Sequence, residues 1–184
     1  IIEARDGVNL VAYYSLPPDA DSGGGGIPDR PLPMAFIPHG GPWGRDTWGF
    51  HGWHQWLANR GYVVMSVNFR SSTGFGKAFV NAGDRQWGGL VMEDQQDAVA
   101  WAVARGIADP ERIGVMGGSF GGYMANWIAG HTDRFAAIVT PASLWALDQF
   151  GPTTDAPYYW AREMGGLMEG HSPHESVRPI RTPL

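Results

Sequence analysis

Apolar and polar residues alternate along the chain in two kinds of pattern. Short apolar runs, rich in β-branched and aromatic residues, are bounded by turn residues and predict β-strands at 8–16, within 32–41, and at 62–69, 112–118 and 135–140. Between them lie longer segments with apolar residues at helical spacing, at 50–60, 90–106 and after residue 119. Buried strands that alternate with helices predict an α/β fold, with a mostly parallel sheet and helices on both of its faces.

Two of the predicted helices carry further signals of their ends. The helix over 50–60 is followed by Gly61, in the position of a C-terminal cap. Its apolar residues at helical spacing are Phe50, Trp53, Trp56 and Leu57. The helix over 90–106 has acidic residues in its first turns and ends in Arg105-Gly106, which suits the helix dipole.

Composition narrows the class of protein. The chain has 184 residues, of which 43% are hydrophobic, enough to bury the core of one domain. The net charge of −5 is spread over interspersed acidic and basic residues, so we expect no nucleic-acid partner. No apolar run approaches the length of a membrane span and no signal peptide is recognisable, so we expect a soluble protein of unknown compartment. With Cys 0, a cysteine nucleophile and thiolate metal sites are excluded. The segment 17–31, with its run of glycines, predicts a surface loop.

The sequence Gly117-Gly118-Ser119-Phe120-Gly121 has the pattern G-x-S-x-G between a predicted strand and a predicted helix. A sharp strand-to-helix turn would force the serine into a strained backbone conformation and expose its hydroxyl above the sheet. The flanking glycines would remove side chains that collide where strand and helix pack. The arrangement predicts a nucleophile elbow with Ser119 as the catalytic residue; the alternative is a glycine-rich packing or phosphate-binding turn.

A second glycine-rich segment, "PHGGPWGRD" at 38–46, follows the strand within 32–41. Adjacent glycines at the carboxyl end of a strand leave backbone N–H groups free to bind a ligand, as in the oxyanion hole of esterases and peptidases. We therefore predict that the N–H groups of Gly41 and Phe120 form the oxyanion hole. His39 is expected to orient this turn through a hydrogen bond. The alternative is a simple tight turn.

These motifs, together with "NFRSSTGFGKAF", "WGG", "EDQQDAVAWAV" and "PYYWAREMGG", resemble the catalytic domain of the prolyl oligopeptidase family of serine peptidases, in particular its acylaminoacyl-peptidase-like branch. The resemblance covers residues 5–184. It implies an α/β-hydrolase fold, Ser119 as nucleophile, and Gly41 and Phe120 as oxyanion donors. It also implies cleavage of short peptides, with a β-propeller preceding the catalytic domain.

The resemblance also implies that parts of the family's domain are absent from these 184 residues. No segment resembles the propeller, and the triad's acid and histidine would follow Leu184, together with the last strands of the sheet. We therefore expect residues 1–184 to be a partial catalytic domain that is nearly inert by itself. The sheet edge left open would favour a homo-oligomer.

The histidines after Ser119 are His131, His171 and His174. His131 lies at the end of the predicted elbow helix, roughly 18 Å from the serine at the rise of an α-helix. The other two lie in a proline-rich stretch where the family carries no base. None is therefore predicted to activate Ser119.

Three further patterns are considered as a metal site, a phosphate-binding loop and a substrate pocket. His51 and His54 have a spacing that can serve a metal, but no carboxylate motif accompanies them, so no metal site is predicted. The segment 74–77 lacks the glycine that a phosphate-binding P-loop needs at position 71, and no cofactor is predicted. The aromatic residues Tyr158, Tyr159 and Trp160 are predicted either to line a substrate pocket or to belong to the core.

The sequence thus predicts a serine hydrolase of acyl-transfer type, a peptidase acting on short peptide or acyl substrates. A carboxylesterase would use the same elbow, because the nucleophile does not distinguish an amine leaving group from an alcohol. A non-catalytic binding module with the same fold is the third possibility.

Overall fold

The computed structural model describes residues 1–164 and 170–184. One six-stranded sheet forms its centre, with the strand order β1-β2-β4-β3-β5-β6. Strands β3 to β6 are mutually parallel, whereas β2 runs antiparallel to both of its neighbours, β1 and β4. The strands are β1 (Ile2–Glu3), β2 (Asn9–Ser15), β3 (Leu32–Phe36), β4 (Val63–Asn68), β5 (Ala108–Met116) and β6 (Ala137–Val139). This sheet confirms the predicted α/β class.

Helices fill most of the connections between strands. They are α1 (Gly52–Ala58), α2 (Lys77–Asn81), α3 (Leu90–Ala104), α4 (Phe120–His131), α5 (Leu147–Thr153) and α6 (Pro157–Met164), with a 3-10 turn at Pro173–Ser176. The spacing of apolar residues predicted α1, α3 and α4. It did not predict α5, which contains Pro152, because an internal proline contradicts the local helix signal.

The parallel strands bury side chains on both of their faces. All six residues of β4 are buried. Val63, Met65 and Val67 belong to the larger hydrophobic core, whereas Val64 belongs to a smaller one that includes Ala58 of α1. Residues two apart in a strand share a face, so the two cores lie on opposite faces of the sheet.

Of the four apolar residues whose spacing predicted helix α1, only Leu57 packs partly buried against the smaller core. The buried side chains of α1 are His54 and Ala58, while Phe50 is 88% exposed and Trp56 is 50% exposed. His54 packs inward because its ring nitrogens find hydroxyl partners on the sheet, Ser15 Oγ at 3.2 Å and Ser66 Oγ at 2.9 Å. Side-chain hydrogen bonds to the strands therefore decide which face of α1 is buried.

A buried ion pair joins the end of β4 to α3. The Arg70 guanidinium contacts the Asp94 carboxylate at 2.6 Å, and the side chains of both residues are at most 4% exposed. The same guanidinium binds Asp6 at 2.8 Å, which ties the turn between β1 and β2 to the sheet. Loss of solvation raises the pKa of Asp94 despite the arginine beside it.

Strand β6 is the last strand of the described sheet. The Ile138 N–H donates a hydrogen bond to the carbonyl of Pro183 at 3.0 Å, so the end of the chain covers one position of this edge. Val139 remains 51% exposed. No helix among residues 1–164 and 170–184 has both the length and the apolar character needed to cross a membrane.

Candidate active site

Ser119 lies at the turn between β5 and α4, as the sequence predicts. Its backbone angles are φ 55° and ψ −124°, outside the regions that a residue with a side chain ordinarily adopts. Such a conformation costs of order 1–3 kcal/mol and persists only where the surrounding structure imposes it. The residue occupies the N-cap of α4, so the positive end of this helix points toward it.

Close packing at the turn explains two of its glycines. A Cβ on Gly117 would collide with the carbonyl of Gly121, and one on Gly121 would collide with the carbonyl of Pro38 at the end of β3. Both contacts involve backbone atoms, which cannot rotate away. The glycines therefore allow α4 to start directly above the adjacent strands.

Backbone hydrogen bonds fix the turn to the loop after β6. The Ser119 N–H donates to the Ala142 carbonyl at 3.0 Å, and the Gly117 N–H donates to Val139 at 3.0 Å. Asn126 on α4 donates to Ser143 Oγ at 2.7 Å. The conformation of Ser119 is thus held from both the sheet and the helix.

The two predicted oxyanion segments meet at this turn. A Cβ on Gly40 would lie 3.6 Å from the Cβ of Ser119, so the loop after β3 passes beside the serine. Gly41 has φ +131°. Among the described residues, no carbonyl or side-chain oxygen accepts a hydrogen bond from the N–H of Gly41 or Phe120. The arrangement can therefore offer two backbone donors to an oxygen atom bound next to Ser119.

His39 supports this loop, as predicted. Its Nδ1 donates to the Gly40 carbonyl at 2.7 Å, and its Nε2 lies 2.8 Å from Ser72 Oγ. The ring stacks on Phe69 with centroids 4.2 Å apart. Burial lowers the pKa of His39, which favours the neutral imidazole. These partners indicate that His39 has a structural role. The sequence analysis did not identify Ser72, because it lies 33 residues from His39 along the chain.

The other histidines after Ser119 pack elsewhere. His131 and His171 both stack on Trp127, with ring centroids 3.9 Å and 5.7 Å away. His174 lies in the 3-10 turn, where its N–H donates to the Trp145 carbonyl at 3.2 Å. Within residues 1–164 and 170–184, no side chain forms a hydrogen bond with Ser119 Oγ.

An aromatic cluster lies behind the elbow. Trp160 belongs to it, with ring centroids 5.1 Å from Trp43 and 5.7 Å from Trp87, and is partly buried against the core. Tyr158 is 79% exposed, whereas the side chain of Tyr159 falls outside the described part of the structure. Of the predicted aromatic residues, Trp160 therefore packs with the core. Sequence reasoning missed Trp43, although it follows the predicted oxyanion glycines directly.

The structure offers no grouping suited to a metal ion in its described part, where no three His, Asp or Glu side chains cluster. Both ring nitrogens of His54 bond to serine hydroxyls. Gly76 caps the short helix α2, which begins at Lys77.

Comparison with known proteins identifies the family of this chain. A sequence profile of the prolyl oligopeptidase family matches residues 48–181. Dipeptidyl aminopeptidase BIII of Pseudoxanthomonas mexicana is 47% identical over 166 residues, which cover 87% of this chain and 23% of that protein. The chain thus spans about a quarter of the length of this relative.

Solved structures of peptidases superpose closely on this chain. A puromycin-hydrolyzing peptidase of Mycobacterium tuberculosis superposes with a TM-score of 0.87 and 29% identity, over 99% of this chain and 29% of the other. Pyrococcus horikoshii acylaminoacyl peptidase gives a TM-score of 0.88 at 24% identity, over 100% of this chain and 30% of the other, a likeness of fold alone. The predicted α/β-hydrolase fold is confirmed, and the chain belongs to the prolyl oligopeptidase family of serine peptidases.

Proposed function

We propose that residues 1–184 carry the nucleophile and oxyanion hole of a serine peptidase that cleaves short peptides by acyl transfer. The observation that carries this proposal is the backbone of Ser119, held at φ 55° at the start of α4 beside the glycine loop after β3. Strain of this kind in a serine at a strand-to-helix turn is the mark of a nucleophile elbow. The names of the relatives, which include dipeptidyl aminopeptidases, support a peptide as substrate.

In this mechanism Ser119 Oγ attacks the carbonyl carbon of the scissile bond and loses its proton to a base. The N–H groups of Gly41 and Phe120 donate to the oxygen as it becomes negatively charged. Donors held in place before the reaction avoid the cost of reorganising solvent. The amine leaves with a proton from the base, and water then releases the acyl group from the serine.

We place the base and the acid of the triad outside residues 1–184. Two observations support this placement. The rings of His39, His54 and His131 bond to other groups, and Ser119 Oγ has no hydrogen-bond partner among the described residues. Without a base a serine hydroxyl is a weak nucleophile, so we expect the chain alone to react slowly.

The test is covalent labelling of the 184-residue chain by a fluorophosphonate, followed by intact mass. Attack by Ser119 Oγ displaces fluoride, and the serine proton passes to a base. We expect slow labelling that accelerates when free imidazole is added to replace the missing base. The adduct should be absent in Ser119→Ala and retained in Ser22→Ala, which changes an exposed serine of the loop at 17–31. Fast labelling without imidazole would contradict the missing base.

An adduct that persists in Ser119→Ala, or no adduct even with imidazole, would overturn the nucleophile itself and favour a non-catalytic module. Where imidazole restores reactivity, hydrolysis of a dipeptidyl anilide and of a short-chain ester can be compared in parallel. We expect the anilide to be cleaved. Cleavage of the ester alone would assign a carboxylesterase instead.

A further inference from the structure

A cleft next to the elbow has chemistry that the proposed mechanism does not use. One cavity of about 340 Å³ lies between β2, the loop after β3 and α1. A second cavity, of about 420 Å³, reaches Gly40 and Gly118 and shares part of its lining with the first. The shared residues are Asp46, Thr47, Phe50 and His51. The two cavities adjoin at these residues and together are called here the Asp46 cleft, which extends from the elbow to α1.

The carboxylate of Asp46 lacks a partner in this cleft. Neither of its oxygens accepts a hydrogen bond from a residue that the structure describes, and because Oδ2 is buried, Oδ1 is the oxygen that a ligand in the cleft can contact. The backbone on either side of the carboxylate is fixed, because the Asp46 N–H donates to Asn68 Oδ1 at 2.8 Å and Asn68 Nδ2 donates to the Asp46 carbonyl at 3.1 Å. An acceptor held in place but unpaired is costly to the folded protein unless a ligand pairs with it.

The walls of the cleft are aromatic. Tyr13 and Trp48 have ring centroids 6.4 Å apart at an interplanar angle of 49°, and Trp48 is 85% exposed. Phe50 borders both cavities. Aromatic rings attract cations to their faces, because the ring quadrupole places its negative part there. A carboxylate beside such faces therefore suits a positively charged organic group better than an anion or a neutral ring.

The basic residues near the cleft do not pair with the Asp46 carboxylate. No lysine or arginine lines the first cavity. Burial lowers the pKa of His54 to about 4, so this histidine is neutral at physiological pH. Arg45 borders only the second cavity, where its guanidinium packs against Gly74.

We propose that the Asp46 cleft binds an organic cation, with an alkylammonium or guanidinium group on Asp46 and its carbon framework against Tyr13 and Trp48. Because the cleft reaches Gly118, a ligand bound there lies beside Ser119 and can be part of a peptide. The volume of the first cavity suits a group the size of an amino-acid side chain or a chain terminus. Binding at this site does not depend on Ser119 being reactive, so it can be tested separately from hydrolysis.

The test is equilibrium binding of benzylamine and its neutral analogue benzyl alcohol, by titration calorimetry on the chain at pH 8. We expect benzylamine to bind and benzyl alcohol to bind at least tenfold more weakly. Asp46→Asn should weaken benzylamine binding about 10- to 100-fold, the range for loss of one charge-assisted hydrogen bond. Asp109→Asn, which removes an exposed carboxylate paired with Arg112, should leave binding unchanged.

A pH series adds a second readout. Burial raises the pKa of Asp46 to about 7, so benzylamine should bind less tightly as pH falls below that value. The other titratable groups facing the cleft are Tyr13, Tyr14, His39, His51, His54 and Arg45. The pH dependence should disappear in Asp46→Asn and persist in His51→Asn.

The stability of the Asp46→Asn variant shows whether a loss of binding reflects a loss of folding. We expect this variant to resist urea at pH 8 better than the parent chain, because an unpaired buried charge has been removed. Equal binding of the amine and the alcohol, binding insensitive to Asp46→Asn, or no binding of benzylamine would each overturn the proposal. Where it holds, N-acetyl-lysine amide and glycyl-phenylalanine amide distinguish a side-chain ammonium from a chain terminus as the bound group.

Discussion

Two histidines near the site, the half-buried His39 and the buried His54, have pKa values lowered by loss of solvation, which favours their neutral forms. His39 donates from Nδ1 to Gly40, which fixes the loop beside Ser119. For His54 the tautomer follows from its partners. Ser66 uses its only proton on the Ile37 carbonyl, so it accepts from Nε2–H of His54. Nδ1 then accepts the proton of Ser15. A ring satisfied in its neutral form resists protonation.

His54 should therefore make stability depend on pH. Its pKa of about 4 in the folded chain lies below the ordinary 6.5, so only the unfolded chain takes up a proton between these values. Stability contributed by His54 is complete above pH 6.5 and is lost as pH falls, by up to about 3 kcal/mol at pH 4. Urea denaturation of the parent chain and of His54→Gln should show this difference in slope. A His54 imidazole signal, assigned by its loss in His54→Gln, that titrates near pH 6.5 in NMR would contradict it.

At the scale of elements, the start of α4 depends on how closely helix and strand approach. Gly121→Ala places a methyl group against the Pro38 carbonyl. We expect a loss of about 1–3 kcal/mol, or more if the backbone cannot shift, measured by urea denaturation. Gly52→Ala in α1 is the matched control, because nothing lies within 4 Å of its added Cβ. The control should be neutral or slightly stabilising. Equal stability of the two variants would show that the elbow is looser than its contacts indicate.

The junction of β4, α3 and the turn between β1 and β2 depends on one guanidinium. Arg70→Leu leaves the Asp94 carboxylate, which is 0% exposed, without its counter-charge. The expected cost is about 3–5 kcal/mol of unfolding free energy. Arg5→Leu removes a guanidinium that is 51% exposed and paired with Asp97, and should cost less than about 1 kcal/mol. Thermal or urea unfolding of both variants tests the contrast, which similar losses would refute.

At the scale of the molecule, the β6 edge is the place where we expect chains to associate. The predicted homo-oligomer remains a prediction. Ile138 is covered by Pro183, while Val139 beside it is half exposed. A charge on an edge strand opposes pairing with another chain. We expect the parent chain to self-associate in sedimentation velocity at high concentration, and Val139→Lys to shift it toward monomer. A monomeric parent chain would refute association through this edge, whereas Glu3→Lys, on the opposite edge, should change nothing.

The sequence determined the order of the main strands and helices and the place of the glycine-rich turn at Ser119. Both are local properties: the runs at 62–69 and 90–106 and the glycines around Ser119 restrict the conformation of their own segments. The bounds of β4 and α3 accordingly lie close to the predicted ones.

Only the tertiary structure decided which face of α1 is buried, because that choice rests on Ser15 and Ser66 in two distant strands. It likewise decided that Trp160 joins Trp43 and that Asp46 lies unpaired in a cleft. Hydrogen bonds, ring contacts and desolvation depend on neighbours brought together by folding. No spacing along the chain reports those neighbours.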